Sequence, residues 1–335
     1  DDVIKEYCDE VIKSMTQYFQ TEDAFRELDY DFSQHLKTDS RLFPFWIICS
    51  SSGTGKSQFA YTLPMPVVYM LMESSSKSTE QDIYSPFISI SDQFQTVLTE
   101  DYSNFQKIHP AEEKLSVDNL LTANRPPTKM AYRYSTIGFI VDLLEKMVNY
   151  KNSDPNRHWL QCEHAVTTVR CVPLTIKEGH KRLYEMRTKL PTEDADLPFV
   201  FVFDECQFSA QNTNSKNRFR FVRNLMRAIR ICFVAMGTNA LACNFADKTV
   251  GKMSRGTTGT WCHLIFKLPT VARTVLESVI EETKVEISKV AKERDVSKLT
   301  SEFIHSFFEL FRNSRPLFLH YAFDVIKEFL KEWNE

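Results

Sequence analysis

The 335-residue chain has no run of apolar residues long enough to cross a bilayer, which excludes a membrane-spanning helix as an expectation. It also has no charged opening segment followed by an apolar one, the pattern of a secretory leader. The chain begins at Asp1 rather than Met, and reads as a fragment or processed product. An excess of one charge is missing too. The 41 Lys and Arg stand against 44 Asp and Glu, a formal charge of −3, which excludes bulk attraction to nucleic acid or to an anionic membrane and leaves room only for a local basic patch. Eight cysteines are scattered at 8, 49, 162, 171, 206, 232, 243 and 262. Several sit inside apolar runs, where a free thiol behaves as a small hydrophobe, and they point to a reduced, intracellular setting. His158, Cys162, His164 and Cys171 match no tight zinc-finger spacing. The sequence contains no readable Ser/His/Asp or Cys/His nucleophile set, no internal repeat, no long low-complexity tract and no guanine-reading motif.

What is present is an alternation of helical and strand patterns. The length suffices for one large domain or two modest ones with a core that needs no disulfide or metal to staple it. Val3, Ile4, Tyr7, Val11, Ile12, Met15 and Phe19 carry helical spacing, so residues 1–40 are expected to form an N-terminal helical segment. The run from Leu42 to Cys49 is too short and too rich in β-branched and aromatic residues for a buried helix, and predicts a strand buried on both faces. A helix is expected over 58–63 and a strand over 65–72. The polar stretch 73–130 predicts loops and short elements. Ile137, Ile140, Val141, Leu143, Leu144 and Met147 predict an amphipathic helix over 134–150. Beyond it a strand is expected over 166–174, a charged helix over 181–190, an acidic turn at 193–196 and the most strongly strand-like segment at 198–205. A helix over 217–230 and a buried strand over 231–236 follow. This alternation predicts an α/β fold with a mainly parallel sheet, a core over 41–270 and a closing helical subdomain over 271–335.

One stretch carries chemistry on its own. Ser50-Ser-Ser-Gly-Thr-Gly-Lys-Ser57 lies between a predicted strand and a predicted helix. A phosphate loop needs small residues whose backbone N–H groups turn inward, a Lys for the β and γ phosphates, and a hydroxyl for magnesium. Ser52, Gly53, Thr54, Gly55, Lys56, Ser57 and Gln58 supply the nucleotide-binding set, and Ser50 departs from the Walker A pattern at its first Gly. The second stretch is a strand ending in Asp204-Glu205. There Asp204 is expected to hold magnesium and Glu205 to orient or deprotonate the attacking water, a Walker B arrangement. Met236-Gly-Thr-Asn239 ends the next strand, where Thr238 or Asn239 would contact the γ-phosphate or the water in an additional-strand P-loop ATPase. Arg255, in a Gly/Thr-rich loop, and Arg315, at the start of a late helix, are the candidate arginine finger and second sensor. Arg220, Arg223, Arg227 and Arg230 form a stripe opposite Phe219, Val222, Met226 and Ile229. It reads as a solvated helix face, with a grip on a nucleic-acid backbone as the alternative.

The chain resembles the P-loop ATPase domain of Crinkler effectors and related Crinkler/RHS-type proteins. The resemblance rests on Cys49-Ser-Ser-Ser-Gly-Thr-Gly-Lys-Ser-Gln58, Phe201-Val-Phe-Asp-Glu205, Arg223-Asn-Leu-Met-Arg-Ala-Ile-Arg230 and Met236-Gly-Thr-Asn239. It continues through Ser254-Arg255, Thr260-Trp-Cys262, Lys267-Leu-Pro269 and Ser314-Arg-Pro316. It implies an ATPase module of a secreted, modular protein delivered into host cells, often to the nucleus, beside a nuclease-like or kinase-like domain whose motifs this chain does not show. The expected function is Mg-dependent hydrolysis of ATP in preference to GTP, with a host protein or nucleic acid as target and homo-oligomers as an option. The rival is a nucleotide-gated switch with little turnover.

Overall fold

Five short apolar runs form the strands of the computed structural model: β1 Phe45–Cys49, β2 Val67–Leu71, β3 Val200–Asp204, β4 Cys232–Gly237 and β5 Cys262–Ile265. The structure describes residues 45–49, 56–72, 84–108, 132–191, 194, 197–206, 213–237 and 262–265, together with Lys13 and Met15. Every residue of β2, β3 and β4 is buried, which is why these segments read as continuous apolar runs rather than as alternating ones. All four pairings are parallel, in the order β2-β3-β4-β1-β5. The expected α/β architecture with a parallel sheet is therefore present.

The chain divides into two compact units. One comprises residues 1–11, 50–62 and 266–335, and its described part is helix α1, Lys56–Thr62. Within α1, Lys56, Phe59 and Ala60 are buried, and the Thr62 hydroxyl donates to the Phe59 carbonyl at 2.8 Å. The other unit, 12–49 and 63–265, holds the sheet and five described helices. These are α2 Ser85–Ile108, α3 Ser135–Ser153, α4 Trp159–His164, α5 Ile176–Arg187 and α6 Thr213–Ala228.

Helices α2 and α4 pack on β2 and on each other, α3 packs on α2, α4 and α5, and α6 packs on β4, α2 and α5. Aromatic rings tie the layers together. Phe94 of α2 meets Phe139 of α3 at 5.4 Å and Phe203 of β3 at 5.6 Å, and Phe203 stacks on Phe233 of β4 at 4.8 Å. Such pairs add directional preference to the area they bury. The helix ends follow local chemistry. Thr175 and Glu178 form a capping box at α5, and the amide it accepts, with Arg133 beside it, holds the Glu178 carboxyl below its usual range. Tyr134 gives α3 no side-chain cap; Asp101 of α2 caps it instead, accepting from the Thr136 amide at 2.6 Å.

Two expectations are corrected. Residues 73–130, read as loops and short elements, contain the 24-residue helix α2. Phe87, Ile90, Phe94, Leu98, Tyr102 and Phe105 recur at three- and four-residue steps and are buried, but the polar residues between them dilute the pattern. Residues 166–174, read as a strand, lie outside the sheet and are joined by one antiparallel bridge from Leu174 to Tyr134. Side chains replace the missing ladder: the Arg170 amide donates to Asp142 Oδ2 at 2.8 Å, and Lys146 Nζ donates to the Thr168 carbonyl at 2.6 Å. Helix α4 and strand β5 have no counterpart in the sequence reading. The helical expectations for 1–40, apart from Lys13 and Met15, which are helical, and for 271–335 lie outside the described residues. Among the described residues no helix is long and apolar enough to cross a membrane.

Candidate functional site

The carboxyl edge of the sheet gathers the ends of the strands that carry the sequence motifs. Cys49 of β1 pairs with Gly237 of β4, and Phe203 of β3 pairs with Ala235 of β4, so all three strands end at one level. β4 lies between β1 and β3, which puts Cys49 and Asp204 two strand spacings, about 10 Å, apart. Lys56 and Ser57 open α1 in the other unit. Ser52, Gly53, Thr54, Gly55, Asn239, Arg255 and Arg315 lie outside the described residues, and only the backbone of Gln58 is described.

Asp204 closes β3 with 1 % of its surface exposed. Its two oxygens have different donors: Oδ1 accepts from the Glu205 amide at 2.8 Å, and Oδ2 accepts from the Tyr69 hydroxyl. A buried carboxylate must be held in this way, because an unpaired charge costs several kcal/mol away from water. Glu205 follows with φ 52°, in the left-handed region that disfavours a residue with a Cβ. The turn it makes lets the Cys206 amide donate to the Met236 carbonyl of β4 at 2.9 Å, while the Met72 amide donates to the Asp204 carbonyl at 2.9 Å. The Cys206 thiol donates to the Phe203 carbonyl, and burial pushes its pKa well above the ordinary value, so it is held as the neutral thiol.

Sequence reasoning missed Tyr69, which in the sequence is one more aromatic in an apolar strand. Its signal emerges only from pairing: Tyr69 stands opposite Val202, two residues before Asp204, so the hydroxyl reaches the carboxylate diagonally across β2 and β3. Glu163 was missed as well. Among the described strands β2 stands at an edge of the sheet, and side chains bond its outer backbone groups. Glu163 Oε2 accepts from the Tyr69 amide at 2.8 Å, Ser91 Oγ accepts from the Leu71 amide at 2.9 Å, and Gln95 Nε2 donates to the Leu71 carbonyl at 2.8 Å.

Burial drives the Glu163 pKa well above the ordinary carboxyl value, against the opposing pull of the Tyr69 amide. The folded protein thus holds this proton more tightly than the unfolded chain. The associated stability is full below about pH 4.3 and is lost as pH rises toward the folded value. Glu163→Gln, which keeps an acceptor for the Tyr69 amide, is expected to flatten that decline, so that urea midpoints at pH 5 and pH 8 lie closer together than in the wild type. An unchanged pH slope would show that Glu163 does not titrate with folding.

The remaining candidates have structural employment. His158 Nδ1 accepts from the Leu160 amide as the N-cap of α4, Cys162 is buried, the His164 ring meets Phe87 at 4.4 Å, and the Cys171 thiol donates to the Val169 carbonyl. Among the described residues no group of three or more His, Cys, Asp or Glu is placed to hold a metal. The arginine stripe of α6 is not a solvated face, and that expectation is corrected: Arg223 and Arg227 are each 6 % exposed. Arg223 donates to Asn224 Oδ1 at 2.9 Å and lies over the Phe45 ring at 5.0 Å. An arginine can bury its stem and stack its guanidinium on an aromatic face, which charge patterning alone does not reveal. A stripe with its two central members buried does not present a row of charges to a nucleic-acid backbone. The chain matches no protein-family model and no curated protein at a significant level.

Proposed function

We propose that the chain is a P-loop nucleoside-triphosphatase of the additional-strand, AAA/STAND-like kind, hydrolysing Mg-ATP in preference to Mg-GTP. The observation that carries this reading is the strand order. β4 stands between β1, which runs into Ser50–Ser57, and β3, which ends in Asp204-Glu205. From β1 the chain crosses to β2 at the far edge, whereas from β4 it passes β1 to reach β5 on the other side. The chain thus leaves neighbouring strands β1 and β4 toward opposite edges of the sheet, and open α/β sheets bind their ligands at such a switch point.

The residues fit magnesium by their chemistry. Ser57 and Asp204 offer hard oxygen donors, and a nucleotide-bound magnesium needs only one or two of these from the protein. The pair of donors on Asp204 fixes its carboxylate in place. In this reading the amides of Ser52 to Gly55 and the Lys56 ammonium cradle the phosphates, Ser57 and Asp204 hold the metal, and Gln58 completes the binding stretch. Glu205 orients the attacking water and takes its proton, and Asn239 contacts that water or the γ-phosphate. Arg255 and Arg315 meet developing negative charge. Magnesium, when bound, neutralises charge on the transferred phosphoryl group. The resemblance to Crinkler effector ATPases supports a place in a secreted protein that acts inside host cells, including the nucleus.

The test is phosphate release from the purified chain with Mg-ATP and Mg-GTP, with nucleotide binding followed in the same samples. Lys56→Ala is expected to weaken nucleotide binding at least about tenfold, as loss of a charged phosphate contact does. Equal binding by wild type and Lys56→Ala would remove the phosphate-loop assignment. Tight binding without turnover in the wild type would instead establish the nucleotide-gated switch.

A further inference from the structure

We propose that Tyr69 is a positioning residue for magnesium: its hydroxyl holds Asp204 in the orientation that receives the metal, so Mg-dependent nucleotide binding depends on a residue of the edge strand. This rests on the reading of Asp204 as a magnesium-holding acid.

The placement of Tyr69 is over-determined from four directions. Its backbone is in register with Val202 of β3, its amide donates to Glu163 of α4, its ring packs against Phe87 of α2 at 4.7 Å, and its hydroxyl donates to Asp204 Oδ2. With 1 % of its surface exposed it has little freedom to turn away. The Glu205 amide binds Oδ1, and a carboxylate's plane is set by where its second oxygen is held. The phenol holds the second oxygen and so helps set the plane in which the carboxylate lies. Carboxylates that serve metals are held by such outer partners, and removing one costs about 10–100-fold in metal affinity. A neutral hydroxyl donor orients the carboxylate and leaves its negative charge for a cation.

The experiment is equilibrium binding of a fluorescent ADP analogue, in magnesium and in EDTA, to wild type, Tyr69→Phe and Asp204→Ala. Tyr69→Phe keeps the ring against Phe87, and its thermal melt reports whether the fold is retained. The expected result is that Tyr69→Phe binds in EDTA within about twofold of wild type, whereas the gain in affinity conferred by magnesium falls about tenfold. A p-aminophenylalanine at position 69, which restores a donor on the same ring, should recover most of that gain; a merely structural ring would not respond to the donor. If Tyr69→Phe keeps the full magnesium gain while Asp204→Ala loses it, the positioning role is overturned and the role of Asp204 stands. If Asp204→Ala also keeps the gain, the magnesium assignment itself falls.

Discussion

Glu205→Gln is expected to lower phosphate release by about 10²–10³-fold while nucleotide affinity stays within about threefold of wild type. The amide keeps the size and the hydrogen-bonding reach of the carboxyl but cannot take a proton from water. The backbone sharpens the prediction. At φ 52° a non-glycine residue costs roughly 1 kcal/mol, and such a residue persists only where its surroundings impose it. Here the imposing contacts are the Cys206 amide on the Met236 carbonyl and the Met72 amide on the Asp204 carbonyl, one on each side of the turn. If Glu205 only ended β3, glycine would suit the position better than glutamate. Glu205→Gly is therefore expected to raise stability by about 0.5–1 kcal/mol and to abolish turnover as fully as the glutamine variant. Single-turnover phosphate release and urea unfolding on the same preparations decide the matter. A glycine variant that is both more stable and fully active would assign Glu205 to the turn and leave the hydrolytic step without its base.

Strands β1 to β4 were legible because a parallel sheet buries both faces, so that segments such as Phe201-Val-Phe need no periodicity to be recognised. Their order was not, because pairing β1 with β4 joins residues far apart in the chain and nothing in either segment encodes the partner. Helix α2 escaped for the opposite reason: its buried face is specified by single residues among serines, threonines and glutamines, and a polar average hides a regular apolar stripe. The segment 166–174 is rich in Val and Thr and so reads as a strand, but its amides at Val169 and Arg170 donate to side chains of α2 and α3, which no local pattern announces. At the candidate site the acids at the end of β3 were plain in the sequence. Tyr69 and Glu163 were not, since an aromatic in a strand reads as core and a glutamate in a short helix reads as surface. Their roles follow from β2 being an edge whose backbone groups need partners. The misread arginines of α6 show the converse: a charge stripe records side-chain type, not the neighbours α2, α5 and β4 that surround the helix.

Gly138→Ala is expected to destabilise the sheet-bearing unit by about 2–4 kcal/mol, although alanine is the better helix former by about 1 kcal/mol. Gly138 lies inside α3, where the backbone of Val172 comes against the helix. A Cβ there would overlap the Val172 carbonyl oxygen and sit 2.7 Å from its carbonyl carbon. These are backbone atoms, so no rotamer relieves the overlap; the segment itself must lift. Lifting it strains the paired bonds between Tyr134 and Leu174, at 2.8 and 3.2 Å, and the side-chain bonds that replace a ladder at Thr168 and Arg170. Gly179→Ala is the control. Its Cβ would meet Ile137 Cγ2, a buried side-chain methyl rather than backbone, and the expected loss is about 1 kcal/mol, smaller than at Gly138, once the gain in helix propensity is set against the overpacking. The two substitutions are chemically identical and both fall in helices, so a comparison of their urea midpoints isolates the contact. Equal midpoints would mean that 166–174 yields easily and does not brace α3. A large loss at Gly138 alone would identify this contact as the place where a chain segment outside the sheet is locked to the helical layer that supports β2 and, through Tyr69, Asp204.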